Sequence, residues 1–80
     1  MKKEYSEEYR LIGLRIAYYR KLRHLTQDEL AEKIGKSSAY IGSIEAPNID
    51  RSPSLDTLYD ISFVLDVPIY KFFISDLTEE

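Results

Sequence analysis

Residues 25–45, LTQDELAEKIGKSSAYIGSIE, contain two short helical patterns separated by a glycine. Thr26 and Glu29 have the T-x-x-E spacing of a capping box, which predicts that the first of these helices begins here. Gly35 can adopt a positive φ without steric cost and therefore predicts its end. Ser37 provides a hydroxyl that can cap the second helix. Two helices joined by so short a turn are typical of a helix-turn-helix.

The apolar residues of this stretch fall where two steeply crossed helices would touch. Ala31 is small enough for close contact between the helices. The other side chains predicted to pack between them are Leu30, Ile34, Ile41 and Ile44. The second helix then has a free face, made of Ser38, Ala39, Gly42 and Ser43. In a helix-turn-helix this face enters the major groove of DNA.

Helical periodicity continues before the motif, and the chain has no alternating pattern typical of strands. A first helix is predicted from Ser6, a suitable N-cap, to about Arg23. Its inward face would consist of Ile12, Ile16 and Tyr19. His24 follows at a position where helices often end in a left-handed residue.

Two further helices are predicted after the motif, which Pro47 ends. Ser54 is a candidate cap for a fourth helix, and Pro68 is suited to the first position of a short fifth helix, IYKFFI (69–74). The predicted inward face of the fourth helix is Leu55, Leu58, Ile61 and Leu65. We therefore expect an all-α fold of five short helices.

Length and composition predict one small domain over residues 1–80, with frayed ends at 1–5 and 76–80. The absence of cysteine excludes disulfides and thiolate metal sites and fits a reducing cytoplasm. The first ten residues, MKKEYSEEYR, lack the apolar run of a signal peptide, and no stretch approaches the roughly 18 apolar residues of a membrane span. We expect a cytoplasmic protein with no membrane contact.

The formal net charge is −3, but it is unevenly distributed. Residues 1–36 have a balance of +3 and residues 37–80 a balance of −6. Because the local field matters more to a polyanion than the total charge, the basic half could bind a phosphate backbone. The acidic half is equally compatible with an ordinary solvated surface.

The stretches IGLRIAYYRKLRHLTQDELAEKIGKSSAYIGSIE (12–45) and PSLDTLYDISFVLDVPIYKFF (53–73) carry a family resemblance. The chain resembles the Cro/phage-repressor-like helix-turn-helix family, also called the xenobiotic response element type. The resemblance implies a five-helix, lambda-repressor-like domain in which the second and third helices bind DNA. It also implies a homodimer.

The resemblance assigns roles to three residues around the motif. Gln27 matches a family glutamine that contacts a DNA phosphate and braces the recognition helix. A helix N-terminus favours a phosphate, which agrees with that role. Arg20 and Glu45 match a pair that forms a buried ion pair between the first helix and the end of the third.

The base-reading positions depart from the family pattern. Ser38, Ala39 and Ser43 stand where relatives often have Gln, Lys or Arg. Serine can bond to almost any base edge and alanine only contacts the thymine methyl, so modest direct readout is expected. Gly42 is interpreted either as a site of close approach to DNA or as drift at an exposed position.

The remaining predicted contacts surround the recognition helix. Tyr40 matches a position used against the DNA backbone or a base step, and the alternative is a tyrosine packed on the domain surface. Lys36 and Arg51 are candidate phosphate contacts or ordinary surface charges. The full predicted set is Gln27, Lys36, Ser37, Ser38, Ala39, Tyr40, Ser43 and Arg51.

Residues 69–77, IYKFFISDL, have more large apolar side chains than a short end helix needs. The family alignment places Phe72 in the core. The patch that remains is Tyr70, Phe73, Ile74 and Leu77. It predicts a two-fold dimer contact, with completion of a small core as the alternative.

Two functions follow from these features. The first is a dimeric, sequence-specific regulator of transcription, a repressor or self-regulating controller that reads an inverted repeat in double-stranded DNA. The alternative is a protein-interaction module, such as an antitoxin-type protein, with secondary or lost DNA binding. An enzyme is not expected, because the chain has one histidine, no cysteine and no paired acidic site. No cofactor, metal or small-molecule effector is expected.

Overall fold

The helices occur in the predicted order. The computed structural model describes residues 5–47 and 52–74, and these contain four α-helices and no strand. The helices are α1 (Ser6–Leu22), α2 (Gln27–Ile34), α3 (Ser38–Glu45) and α4 (Leu55–Leu65), and a 3-10 helix follows at Ile69–Phe72. The all-α fold is confirmed. Within the described ranges no helix combines the length and apolarity needed to cross a bilayer.

The hydrogen bonds predicted at the ends of α2 and α3 are present. The Thr26 hydroxyl accepts a hydrogen bond from the Glu29 backbone N–H at 3.0 Å, and the Glu29 carboxylate accepts one from the Thr26 N–H at 2.8 Å. Gly35 ends α2 with a φ of 73°. The Ser37 hydroxyl then caps α3 by accepting from the Tyr40 N–H at 3.1 Å. The turn is therefore specified by contacts within a few residues of each other.

Ser6 does not cap α1, contrary to the sequence prediction. It is the first helical residue, and Tyr5 occupies the N-cap without a side-chain hydrogen bond to the helix. Glu7 in this first turn accepts two hydrogen bonds from the Arg10 guanidinium, at 3.1 and 2.7 Å. Those hydrogen bonds lower the pKa of the Glu7 carboxyl. A carboxylate at the helix N-terminus thus favours the start of α1.

Two predictions about the C-terminal half are wrong in detail. Leu55 is 64% exposed, although Leu58, Ile61 and Leu65 are buried. At 100° per residue, Leu55 lies roughly 90° from the centre of the stripe that these three form, and so it misses the core. The fifth helix is a single 3-10 turn, and Pro68 is its N-cap, not its first residue.

The ends of α1 and α4 are held together by Arg23. His24 ends α1 with a φ of 61°, as predicted, and Asp66 ends α4 with a φ of 56°. The Arg23 guanidinium donates to the carbonyl oxygen of Leu65 at 2.6 Å and to that of Asp66 at 3.1 Å. These carbonyls end a helix without partners inside it, so a cation there is favourable.

One apolar core joins all five helical elements. Its largest fully buried side chains are Ile16, Leu30, Ile41, Ile44, Ile61, Leu65 and Phe72. The predicted core position of Phe72 is confirmed, and its ring meets that of Tyr19 edge to face with centroids 5.9 Å apart. The 3-10 helix is thereby anchored to α1.

α1 and α3 touch backbone to backbone at Gly13. A Cβ atom at this position would overlap the carbonyl oxygen of Ile44 and come within 3.4 Å of the Glu45 Cα. Glycine in a helix interior costs about 1 kcal/mol relative to alanine. The close approach of the two backbones explains why a glycine nevertheless lies within α1. The sequence analysis did not predict this role for Gly13.

We expect Gly13→Ala to lower the free energy of unfolding by about 3 kcal/mol, because α3 must move away from α1. Gly42→Ala is the matched control, since its added Cβ would meet nothing nearer than the Gln27 Oε1 atom at 3.6 Å. Alanine there is expected to raise the free energy of unfolding by up to about 1 kcal/mol. Urea denaturation measures both, and equal effects would contradict the packing described for Gly13.

Candidate nucleic-acid interface

The outward face of α3 is the candidate site. Ile41 and Ile44 turn into the core and hold the helix against α1 and α2. The opposite side consists of Ala39, which is exposed, and of Ser38, Gly42 and Ser43, which are half-buried. The side chains on this face are therefore small, so that a duplex can approach the helix backbone closely.

A buried ion pair fixes the end of α3. The Arg20 guanidinium donates from Nε to Glu45 Oε2 at 2.8 Å and from Nη2 to Glu45 Oε1 at 2.9 Å. Its Nη1 atom donates to the Leu25 carbonyl oxygen at 2.7 Å. Both charged side chains are less than a tenth exposed. The geometry is the two-pronged arrangement in which a guanidinium binds a carboxylate most strongly.

Gln27 joins this ion pair to α2. Its side-chain N–H group donates to Glu45 Oε1 at 3.0 Å, so one carboxylate oxygen is shared by α1 and α2. The side chain is half-buried at the first residue of α2. The amide nitrogen of Gln27 has two hydrogens. One is bonded to Glu45, and the other is available for a hydrogen bond to a phosphate oxygen.

The surface beside Gln27 has mixed charge. A shallow depression of about 370 Å³ is lined by Arg20, Thr26, Gln27, Asp28 and Ser38. The N-terminus of α2 offers backbone N–H groups to an anion, but the Asp28 carboxylate would repel one. A phosphate contact here therefore depends on the amide of Gln27 rather than on net positive charge.

Lys36 and Tyr40 form a pair at the turn. The Lys36 ammonium lies 5.4 Å from the centroid of the Tyr40 ring, within the range of a cation–π contact. Lys36 is exposed and Tyr40 is half-buried against the core. Ser37, the cap of α3, lies between them in sequence and is exposed. The pair thus puts a positive charge next to the start of α3.

Ser43 is oriented by its own helix. Its hydroxyl donates to the Tyr40 carbonyl oxygen at 2.8 Å, which uses the only donor that a serine side chain has. The oxygen remains able to accept a hydrogen bond. Ser43 in this rotamer is suited to a base that presents a donor, such as an amino group of cytosine or adenine.

Nothing in the described structure requires glycine at position 42. An added Cβ would make ordinary contacts with the Gln27 amide. Both interpretations of Gly42, close approach to DNA and drift, are compatible with this absence of a packing requirement. Packing does require glycine at position 13, in the interior of α1. A glycine inside a helix is unfavourable relative to alanine, and this unfavourable position was the only indication in the sequence that Gly13 has a structural role.

The predicted dimer surface is only partly described. Tyr70 is 59% and Phe73 56% exposed, and Ile74 is half-buried. Leu77 and the predicted phosphate contact Arg51 both lie outside the described residues.

A second apolar surface was missed from sequence. Leu55, Tyr59 and Phe63 follow one another at four-residue spacing on α4, and all three are exposed, Phe63 to 87%. The i, i+4 spacing of these residues is visible in the sequence, but the sequence prediction places Leu55 in the core. Asp56 and Asp60 lie on the same helix, which has no basic residue.

The described residues contain no group of three or more His, Cys, Asp or Glu side chains arranged to hold a metal ion. The outward face of α3 consists of small and hydrogen-bonding side chains on a braced helix.

Comparison with known proteins identifies relatives over about three quarters of the chain. A helix-turn-helix family model (HTH_3) matches residues 16–72. The transcriptional regulator SinR of Bacillus subtilis is 43% identical over 60 residues, which are 75% of this chain and 53% of SinR. An uncharacterized HTH-type transcriptional regulator of Methanocaldococcus jannaschii, MJ0272, is 40% identical over 60 residues, 75% of this chain and 88% of that protein. The chain spans about half the length of SinR.

The same fold occurs in a protein whose structure has been solved in complex with DNA. A crystal structure of SinR, described as the master regulator for biofilm formation, in complex with DNA superposes with a TM-score of 0.71. The two chains are 41% identical, and the match covers 79% of this chain and 98% of that one. The similarity therefore extends over nearly all of the solved DNA-bound chain.

We expect Glu45→Gln to lower the free energy of unfolding by about 3–5 kcal/mol, because it leaves the Arg20 guanidinium buried without an opposite charge. Gln27→Ala removes one hydrogen bond to the same carboxylate and keeps the ion pair, so a loss of about 1.5 kcal/mol is expected. Urea denaturation of the two variants gives the comparison. A Glu45→Gln variant no less stable than Gln27→Ala would contradict the role given to the ion pair.

Proposed function

Because the chain belongs to the Cro/phage-repressor-like helix-turn-helix family, which comprises DNA-binding transcriptional regulators and not enzymes, we propose that it binds specific sequences of double-stranded DNA and regulates transcription. The observation that carries this proposal is the small-residue face of α3, held in place by the shared Glu45 carboxylate. The 41% identity to SinR, whose solved chain is bound to DNA, supports it.

In this proposal phosphate contacts position the domain. Gln27 donates its second amide hydrogen to a phosphate oxygen, and the Ser37 hydroxyl and Lys36 ammonium contact the backbone near the start of α3. Arg51 is proposed as a further phosphate contact. Tyr40 packs against the sugar-phosphate backbone next to Lys36, which is supported by their 5.4 Å separation.

Base readout falls to Ser38, Ala39 and Ser43. Ser43 accepts a hydrogen bond from a base amino group, Ser38 bonds to an adjacent base edge, and Ala39 contacts a thymine methyl. Gly42 lets the α3 backbone approach the groove floor. Because these contacts are few, most of the specificity comes from two half-sites and from DNA shape.

We propose further that the protein acts as a cytoplasmic homodimer that represses transcription at an inverted repeat. Tyr70, Phe73, Ile74 and Leu77 would form the two-fold contact, which is supported by the exposure of Tyr70 and Phe73. The same proposal treats residues 1–80 as one domain. Exposed aromatic side chains rarely stand together on a small domain without a partner.

A second candidate function is binding of a protein partner, and the exposed stripe of α4 favours it. Phe63 at 87% exposure is the most exposed large apolar side chain among the described residues. A partner-binding domain without DNA binding would give no sequence-specific complex with DNA. Selection from a random-sequence duplex library, followed by mobility-shift titration, separates the two functions: recovery of no sequence at low salt would refute the DNA-binding proposal.

With the selected duplex, Gln27→Ala should weaken binding to all sequences alike, because a phosphate contact carries no base information. Ser43→Ala should reduce discrimination at one base position by about 1 kcal/mol. Ser62→Ala is the matched control, since its hydroxyl makes the same 2.8 Å hydrogen bond to the third residue before it, but on α4. If Ser43→Ala acts uniformly or Ser62→Ala alters the preference, direct readout by Ser43 is wrong.

The dimer proposal predicts that Tyr70→Ser raises the dissociation constant for self-association at least about tenfold. Tyr59→Ser on α4 is the control, because it removes the same side chain at almost the same exposure, 57% against 59%. Sedimentation equilibrium measures the constants. A monomeric intact chain, or equal effects of the two substitutions, would refute this dimer surface.

A further inference from the structure

The exposed side of α4 has a continuous apolar stripe. Leu55, Tyr59 and Phe63 form it at four-residue spacing, and all three are exposed. Because a helix rises about 1.5 Å per residue, the stripe is about 12 Å long. Side chains in such a row form a ridge along a helix, and this is the surface that packs against a second helix. Three large apolar side chains exposed together on a small domain indicate a binding surface.

The stripe adjoins a groove at the end of α4. This open depression of about 580 Å³ is lined by Tyr59, Ser62 and Phe63 of α4 and by residues 66–69, which follow the helix. Within that segment Val67, Pro68 and Ile69 are apolar. The stripe and the groove together form one apolar face, which we call the α4 face.

The edge of the α4 face is acidic. Asp56 and Asp60 each follow a stripe residue by one position, so both lie about 100° further round the helix, along one edge of the stripe. Both are exposed and form no ion pair among the described residues. α4 contains no basic residue, and Asp66 adds a third acidic side chain to the groove lining. Because the Arg23 guanidinium donates to the Asp66 carbonyl oxygen, the negative edge depends mainly on Asp56 and Asp60.

This chemistry argues against several occupants of the α4 face. Nucleic acid and an anionic membrane surface would be repelled by the acidic edge. In a two-fold contact between two copies of α4, neither copy could supply a basic residue to the acidic edge of the other. An extended peptide would find no strand edge to pair with, because residues 5–47 and 52–74 contain no strand. A helix satisfies its own backbone hydrogen bonds, so a helical segment with basic flanks fits best.

We propose that the α4 face binds an amphipathic helix of a partner protein, with lysine or arginine flanking the apolar side of that helix. Tyr59 and Phe63 pack against its apolar side chains, and Asp56 and Asp60 pair with its basic residues at the rim. The proposal rests on the second candidate function given above, whose partner it specifies by chemistry. It does not require DNA binding.

Three synthetic peptides test the assignment on the intact chain. Each has about 18 residues, enough for an isolated helix, and the same leucine face. They differ only in the flanking residues, which are lysine, glutamine or glutamate. Fluorescence anisotropy at low salt should show the lysine peptide binding at least about tenfold more tightly than the glutamate peptide, since several rim charges each contribute a little. Added salt should reduce this difference.

Substitutions on the exposed surface locate the site. Phe63→Ser should weaken binding of the lysine peptide at least about tenfold, as expected for an aromatic anchor, and Leu55→Ser at least about threefold. Leu22→Ser on α1 is the matched control for Leu55→Ser, because it makes the same change at comparable exposure, 51% against 64%. It should alter the affinity less than about twofold. Asp60→Lys should shift the preference from the lysine peptide toward the glutamate peptide.

Four results would overturn the proposal. Equal effects of Leu55→Ser and Leu22→Ser would place the peptide elsewhere. Binding of the glutamate peptide as tight as that of the lysine peptide, and lost in Phe63→Ser, would keep the partner-binding function but contradict a basic partner. Binding of none of the three peptides would remove both. Weaker self-association of Phe63→Ser in sedimentation equilibrium would assign the face to a second copy. Mobility-shift titration measures DNA binding separately, and Phe63→Ser should leave it unchanged.

Discussion

The ion pair between Arg20 and Glu45 is the interaction on which the arrangement of the site depends. Glu45 is the last residue of α3, Arg20 lies on α1, and Gln27 at the start of α2 shares one carboxylate oxygen with the guanidinium. Two buried charges must satisfy each other, and the two-pronged geometry of this pair restricts how the three helices can be placed. The outward face of α3 is consequently presented in a fixed orientation.

The close contact at Gly13 complements this electrostatic constraint. It allows the α1 backbone to touch the α3 backbone next to Glu45, which brings the two charged side chains within reach. Gln27 has a double role in this account, because one amide hydrogen braces Glu45 and the other is available to a phosphate. In the proposed complex with DNA, Gln27 would therefore couple the positioning of α3 to a phosphate contact. A face with few base-reading groups benefits from such a rigid placement.

Sequence analysis succeeded where the deciding contacts are local. The capping box of Thr26 and Glu29, the turn at Gly35 and the left-handed His24 involve partners within a few residues, so their chemistry is visible in the sequence. Contacts between distant elements were not accessible in this way. The overlap that excludes a Cβ at Gly13 arises from Ile44, thirty-one positions away. The exposure of Leu55, in contrast, follows from helical periodicity, which places it at the edge of the stripe formed by Leu58, Ile61 and Leu65.

The candidate site shows the same division. The face of α3 followed from helical periodicity, whereas the pairing of Arg20 with Glu45 was indicated only by family resemblance, because nothing in their spacing joins them. The DNA-contact roles of this face and of Arg51, and the dimer role of Leu77, stay predictions. Burial of Arg15 was not anticipated, since a charged residue on an amphipathic helix is ordinarily solvated.

The central claim is that the braced face of α3, together with the phosphate contacts that flank it, and not the exposed stripe of α4, meets DNA. Titration of the isotope-labelled protein with a selected duplex, followed by amide chemical-shift mapping, tests it most directly. The largest shifts should occur at Gln27 and at residues 36–43, with small changes along α4. Largest shifts at Tyr59 and Phe63 on α4, with α3 unaffected, would contradict it.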